Sequence, residues 1–464
     1  MTKADDILIC LPVESKSREF DSRLYLALCF AARGYPVLFG SKGGVHKAMY
    51  EAGTPFVYFS KGLNHQYLPL LRDIHLKGGV VVNLDEENYS AVNHDGRDFM
   101  VKGRNLGELM RFVDLSFTWT EGLRGKILKY IQECEADEVV VAGNARFDLR
   151  KPRYRALYLT EIASRDGVAD GYILFNTSFG AGNHVLGLKG YLDKARFNYR
   201  HLYDEEALMA RHEYLKGQVA AFVSAASRLA LAFPERQVVI RPHPSEDTSP
   251  YEECAGGTGN IVVTRRGIAA EWLPRASVLI HHDCTTGLEA VFHGLPTISY
   301  CPGLRLDLVK SGSVQASHMV FEEDELVATV GRVLAGEDDL APDAERLAHI
   351  RQSVDSVDYS AAQRIVDTVE DRLDAMFERA CRVGEDSGPT MRTVPNPDHK
   401  ADEDTKRKYE QYRRNKFEGL GRKEVDDFLS RLHQVDPSLP RVEVEDKGGE
   451  AYWIVRTGRD TLRR

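Results

Sequence analysis

The chain has 464 residues, 43% of them hydrophobic and 28% charged, with a net charge of -9. That length supports two or three domains with cores of their own, and the acidic balance argues against a chain built as a whole to bind nucleic acid. Seven cysteines are scattered without a CxxC pair or metal-type spacing, which suits a reducing cytoplasm better than a disulfide framework.

Lys3, Asp5 and Asp6 run straight into an apolar strand, Ile7 to Leu11, so the start does not read as a signal peptide. No apolar run approaches the roughly 20 residues of a membrane-spanning helix. A helix is expected over Arg23 to Ala32, ended by Arg33-Gly34-Tyr35-Pro36, and then a strand at Val37 to Phe39. The alternation continues with a helix at His46 to Ala52, a strand at Phe56 to Phe59, a helix at Tyr67 to Lys77 and a strand at Gly79 to Leu84. Strands at Phe112 to Phe117 and Glu138 to Val141 complete the first half. Strands separated by helices imply a parallel, doubly wound sheet.

The pattern restarts at Tyr172 to Phe175. One long helix follows, Asp204 to Ala232, and then strands at Val238 to Ile240, Ile261 to Val263, Val278 to Ile280 and Thr297 to Ser299. Lys151-Pro152 and Asp166-Gly167 interrupt the periodicity between the halves. Ile365, Val366, Val369, Leu373, Met376 and Phe377 fall on one face of a helix over Asp358 to Val383. Gly384 to Lys400 reads as a linker. A charged helical stretch from Asp402 to about Gln434 precedes a hairpin, Val442 to Val444 and Tyr452 to Val455, turning at Gly448-Gly449. The expected fold is α/β of the GT-B type: two Rossmann-like sheets facing a cleft. The expected domains are residues 1–165 (acceptor side), 166–355 (nucleotide side), a closing helix at 356–384, and a linker with a charged extension at 385–464.

Two segments carry the chemistry. Arg241-Pro242-His243-Pro244 puts a guanidinium and a rigidly held imidazole at a strand's C-terminal end, where open parallel sheets bind ligands. His281-His282-Asp283-Cys284-Thr285-Thr286-Gly287-Leu288-Glu289 follows another strand and opens a helix, whose free N–H groups suit phosphate. Thr285 and Thr286 cap that helix whether or not an anion binds there. Glu289 suits a ribose hydroxyl or the helix dipole. Adjacent His281, His282 and Asp283 point to opposite faces of a strand, so no metal site is expected.

Glu14, Glu86 and Glu87 follow strands of the first half, where carboxylates can act as base or nucleophile. Arg18, Arg146 and Asn176 stand at neighbouring strand ends and can hold a sugar and its carboxylate. Asp148 is either a further catalytic acid or the structural partner of Arg146. The basic residues Lys406, Arg407, Lys408, Arg413, Arg414, Lys416, Arg422 and Lys423, interleaved with Tyr409, Tyr412 and Phe417, form a solvated helix or a surface for anionic lipid or a partner.

Taken in order, Leu11-Pro12-Val13-Glu14 with Arg18-Glu19-Phe20-Asp21, Gly143-Asn144-Ala145-Arg146-Phe147-Asp148-Leu149, Ile173 to Gly180, and Arg241-Pro242-His243-Pro244-Ser245-Glu246 resemble bacterial surface carbohydrate biosynthesis proteins. They are similar to the retaining β-Kdo transferases of capsule and O-antigen assembly, over residues 5–380. The resemblance implies a GT-B fold and a CMP-activated 2-keto acid sugar as donor. It places the CMP phosphate on His243, with Thr285 and Thr286 assisting. It also implies an acidic catalytic motif, whose nearest match is Glu86-Glu87-Asn88, with Asn88 where the family has glycine; Ala145 stands in place of proline.

The expected roles are therefore catalytic for Glu86, Glu87, Asp148 and Glu14. Nucleotide binding falls to Arg241, His243, Thr285, Thr286, Gly287 and Glu289, and sugar binding to Arg18, Arg146 and Asn176. No cofactor or metal is expected beyond the CMP-sugar donor. The acceptor would be a saccharide or glycolipid, and the setting the cytoplasm or the inner face of its membrane. A CDP-glycerol polymerase, a UDP-sugar 2-epimerase and a catalytically degenerate assembly scaffold are the rival readings.

Overall fold

Apolar strands alternating with helices bury both faces of a parallel sheet, because the crossover helices cover it on both sides. The computed structural model, which describes residues 6–63, 65–86, 106–198, 204–309, 311–386 and 417–456 with residues 407, 410 and 414, has this architecture twice. In the first half, β1 (Leu8–Val13), β2 (Val37–Ser41), β3 (Phe56–Ser60), β4 (Val80–Asn83), β5 (Leu115–Thr118) and β6 (Val139–Val141) run parallel in the order β2-β1-β3-β4-β5-β6. All six residues of β1 are buried. Ile9 and Leu11 enter one core while Leu8 and Cys10 enter another.

The second half holds β7 (Tyr172–Asn176), β8 (Val238–Arg241), β9 (Ile261–Val263), β10 (Ala276–His281), β11 (Thr297–Tyr300) and β12 (His318–Val320), in the order β12-β11-β10-β7-β8-β9. This is the Rossmann strand order, with its reversal between β7 and β10. The first sheet reverses between β1 and β3. Two doubly wound sheets in one chain make a GT-B fold, and the loops at the two reversals are where such sheets take ligands.

The first helix begins at Lys16, seven residues before its apolar pattern suggests, and runs to Arg33. Glu19 explains the early start: its carboxylate accepts from the backbone N–H groups of Glu14 (2.8 Å) and Ser15 (3.2 Å). Gly34 ends the helix at φ 101°. The long helix Ala361–Asp386 packs Ile365, Val366, Val369, Leu373 and Met376 into the first sheet's core, beside Leu24 and Leu28.

The C-terminal segment also belongs to the first sheet, which the sequence pattern did not show. In the hairpin β13 (Val442–Gly448) and β14 (Ala451–Arg456), β14 pairs antiparallel with β2 and aligns Trp453 with Leu38. Its loop residues Gly449 and Glu450 both have positive φ (60° and 62°), as a tight two-residue hairpin turn requires. The hairpin approaches β2 so closely that a Cβ on Gly40 would sit 2.1 Å from the Glu450 carbonyl oxygen. Ahead of it, the helix Arg422–Val435 buries Val425, Phe428 and Leu432 in the same core.

Candidate functional site

At the C-terminal end of β8 the chain turns at Pro242 and presents His243. The loop is fixed from below by Glu246, which is wholly buried. One carboxylate oxygen of Glu246 accepts from Thr177 Oγ1 (2.8 Å), the Phe179 N–H (2.8 Å) and the His243 N–H (3.3 Å); the other accepts from Tyr251 Oη (2.6 Å). One side chain thus ties the loop after β7 to the loop after β8. Burial pushes the Glu246 carboxyl above its ordinary range, and these donors draw it back.

The imidazole of His243 is held at both nitrogens. Nδ1 lies 2.7 Å from Ser245 Oγ and 3.2 Å from the Ser245 N–H. Nε2 lies 2.8 Å from Nη2 of Arg18, which comes from the first turn of the first domain's Lys16–Arg33 helix. The two halves therefore meet at this ring. Gly180 makes room for the arrangement: a Cβ there would stand 2.1 Å from Ser245 Oγ.

Across the second sheet's reversal, β10 ends in His281, and Asp283 accepts from Ser178 Oγ at 2.5 Å. The helix Thr285–His293 starts next, with Thr286 buried and Thr285 half-buried. Gly287 serves packing: its missing side chain leaves space for His281, whose Nε2 is 2.8 Å from Ser317 Oγ and would be 2.3 Å from a Cβ at position 287. His282 turns the other way, toward Tyr214 Oη at 3.0 Å. Among the described residues no group of three His, Cys, Asp or Glu side chains is placed to hold a metal.

On the first domain, three consecutive parallel strands each deliver a charged residue immediately after the strand: Glu14 after β1, Lys42 after β2 and Lys61 after β3. Glu14 accepts from Tyr67 Oη (2.7 Å) and pairs with Lys61 (3.3 Å) and Lys42 (3.4 Å). Burial works to raise its carboxyl, but Lys61, Lys42 and the Tyr67 hydroxyl outweigh that and carry it down to about 2. Lys42 also lies over the Tyr67 ring, 4.1 Å from its centre.

The other expected site residues are distributed differently. Arg241 does not face open solvent. Its guanidinium donates to the carbonyls of Arg266 (2.7 Å) and Gly267 (3.2 Å) and lies 5.0 Å from the centre of the Trp272 ring, and burial lowers it to about 10. Asp148 is buried at the start of the Ala361–Asp386 helix and accepts from the N–H groups of Ala361 (3.0 Å) and Ala362 (2.8 Å) and from Ser360 Oγ (3.0 Å). It caps the closing helix, which accounts for it without chemistry.

Glu86 is buried, accepts from Asn144 Nδ2 (2.7 Å) and pairs with Arg23 (3.4 Å); burial raises its carboxyl, offset in part by Arg23 and Arg146. Glu87 and Asn88 lie outside the described residues, as does most of the basic stretch before Phe417. Arg146 lies 3.7 Å from Glu289, which is bonded to Arg150, so neither Arg146 nor Glu289 faces the His243 loop. Asn176 is buried, and its Oδ1 has no hydrogen-bond partner.

Lys42, Lys61, Tyr67, Ser178, Ser245 and Asp283 are site residues that the sequence reading passed over. Position was the available signal for the lysines, since each holds the same place after its strand as Glu14 does. Ser245 follows the His-Pro pair directly.

No protein-family model matches the chain, and no curated protein does. Solved structures resemble it in fold. A protein of Listeria monocytogenes assigned as a UDP-N-acetylglucosamine 2-epimerase is 10% identical over 80% of this chain and 96% of its own, with a TM-score of 0.49. The UDP-GlcNAc 2-epimerase of Neisseria meningitidis, bound to UDP-GlcNAc, is 11% identical over 79% and 99%, with a TM-score of 0.46. The wall teichoic acid polymerase TagF is 13% identical over 81% and 90%, with a TM-score of 0.49. Among the described residues no helix is long and apolar enough to cross a membrane.

Proposed function

We propose that this chain is a GT-B glycosyltransferase that moves a sugar from a nucleotide-activated donor to a saccharide or glycolipid of the bacterial surface. One observation carries the reading. His243 stands at the C-terminal end of β8, fixed by Glu246 and Ser245, and faces the first domain instead of its own core. A positioned imidazole at that place suits a donor phosphate. When the bond between sugar and phosphate breaks, negative charge grows on the phosphate, and fixed donors favour the transition state over the ground state.

Glu14 is the carboxylate best disposed for the sugar. It is partly exposed and held ionised by two lysines, as a group must be to stabilise or attack an oxocarbenium-like centre. The cations Arg18, Lys42 and Lys61 outnumber the acid beside them. That excess favours a substrate with a negative charge of its own, in keeping with the CMP-activated 2-keto acid sugar, such as Kdo, that the sequence resemblance implies. CDP-glycerol and UDP-sugars are the competing donors.

Binding of CMP, CDP, UDP and their sugars, followed by calorimetry on the full chain, tests the proposal. Tightest binding by CMP and CMP-Kdo is expected, with binding abolished by His243→Ala while the melting temperature is kept. Preference for UDP, or wild-type transfer by His243→Ala, overturns it.

A further inference from the structure

The ring of His243 has more donors than it can accept from. Arg18 can only donate, and it points Nη2 at Nε2 from 2.8 Å. The Ser245 N–H also can only donate, and it points at Nδ1 from 3.2 Å. A neutral imidazole has one lone pair and one N–H; a protonated one has no lone pair. Whichever tautomer forms, one of these two donors meets another N–H. Ser245 Oγ, 2.7 Å from Nδ1, can turn either way and does not remove the conflict. Donor-on-donor contact at a half-buried site is unfavourable, and an anionic oxygen is the group that resolves it.

We propose that Arg18 is a direct ligand of the donor's phosphate, sharing one phosphate oxygen with His243 from the opposite domain, and that Ser245 sets the ring tautomer that makes this possible. With an oxygen beside both Nε2 and Nη2, Arg18 donates to it and Nε2–H donates to it. Nδ1 then carries the lone pair and accepts from the Ser245 hydroxyl and N–H. The ring's proton stands on Nε2 after exchange with solvent, with no net proton taken up. Every donor has an acceptor, and the two domains are joined through the substrate. The sequence reading gave Arg18 to the sugar; the contact with His243 gives it to the phosphate. The proposal rests on the nucleotide reading above, and its test separates the two.

The experiment is calorimetry on the full chain with CMP, CDP and UDP. The matching nucleoside serves as the phosphate-free control, and wild type is compared with Arg18→Gln, Arg18→Lys, His243→Gln, Ser245→Ala and the Arg18→Gln/His243→Gln double variant. Arg18→Gln should weaken the nucleotide on the order of tenfold or more, the share of a charge-assisted hydrogen bond, and leave the nucleoside unchanged. Arg18→Lys should recover part of the loss. The double variant should lose less than the product of the single losses, because both residues serve one oxygen. Ser245→Ala should weaken the nucleotide several-fold and the nucleoside not at all. In 15N-histidine spectra, the resonances that vanish in His243→Gln should show Nε2 protonated and Nδ1 unprotonated with nucleotide bound.

If His243→Gln weakens the nucleotide but Arg18→Gln does not, or weakens nucleoside and nucleotide alike, the shared-phosphate role is overturned and the nucleotide reading stands. If no nucleotide binds wild type more tightly than its nucleoside, both fall. A bound-state ring protonated on Nδ1 overturns the tautomer role of Ser245.

Discussion

Glu289 of the second domain accepts a hydrogen bond from Arg150 Nε at 2.8 Å, with both side chains buried. The same guanidinium donates to Asp21 of the first domain at 2.9 Å, and Tyr158 Oη donates to that carboxylate at 2.6 Å. Arg146, 3.7 Å from the other oxygen of Glu289, supplies the second positive charge. Two carboxylates and two guanidinium groups from the two halves therefore balance in a dry interface. Such a network contributes little against an apolar replacement of the whole, but it makes the loss of one member costly.

Arg150→Met should accordingly destabilise the fold by about 3–5 kcal/mol, since Asp21 and Glu289 stay buried without their shared cation. Chemical denaturation followed by circular dichroism measures this. A loss below about 1 kcal/mol would mean that water enters the interface and solvates the carboxylates.

Gly287→Ala tests the packing role of a residue that sequence alone assigned to phosphate. Glycine to alanine inside a helix ordinarily stabilises by up to about 1 kcal/mol. Here the new Cβ would stand 2.3 Å from Nε2 of His281, a ring that is wholly buried. The expected sign is reversed, a destabilisation of about 1–3 kcal/mol from overpacking. A raised melting temperature would show that His281 can move aside.

The contrast between Gly287 and His243 shows what the chain makes legible. Both sheets could be read from alternating apolar runs, because strands buried on both faces leave continuous Val, Ile and Leu stretches. The His243 loop could be read because proline and a strand end fix it locally. Roles decided by contacts distant in sequence could not. Glu289 and Arg150 are 139 residues apart, and Asp148 finds its partners at Ala361 and Ala362. The Val442–Arg456 hairpin was legible as a hairpin, from Gly448-Gly449 between alternating residues. Its attachment to β2 depends on an edge that no local pattern announces. Strand β12 is only His318–Val320, too short to carry a period.

His293 and His281 should make the fold acid-sensitive. Burial lowers His293 to about 3, with Arg150 and Arg155 adding to it, and lowers His281 to about 3, with His282 adding and Asp283 opposing. Both stay neutral in the fold while the unfolded chain protonates near 6.5, so the unfolded state binds more protons between those values. Stability therefore falls as pH drops from 6.5 toward 3, by about 1.4 kcal/mol per pH unit for each ring. Neither ring nitrogen of His293 has a hydrogen-bond partner, so His293→Phe should be tolerated and should remove one ring's share of the slope. Parallel wild-type and variant unfolding curves against pH would count against it.

Glu14 gives the prediction that bears on chemistry. Its carboxyl sits at about 2, against 4.5 for an ordinary glutamate: burial raises it, and Lys61, Lys42 and Tyr67 more than reverse that. A depressed acid contributes stability above its unfolded value and loses it as pH falls from 4.5 through about 2, so Glu14 is fully ionised wherever transfer would be assayed. It is thus suited to stabilise a positive sugar centre, and unsuited to exchange protons near neutrality. Glu14→Gln should lower the transfer rate on the order of a hundredfold or more, by the same factor at every pH from about 5 to about 8. Lys61→Gln removes the strongest opposing charge and should bring an acid limb upward into the assay range, because the carboxyl then returns toward its ordinary value. The pair of pH–rate profiles decides the matter: a neutral-range limb in wild type that disappears in Glu14→Gln would make Glu14 a proton carrier and end its role as a fixed charge.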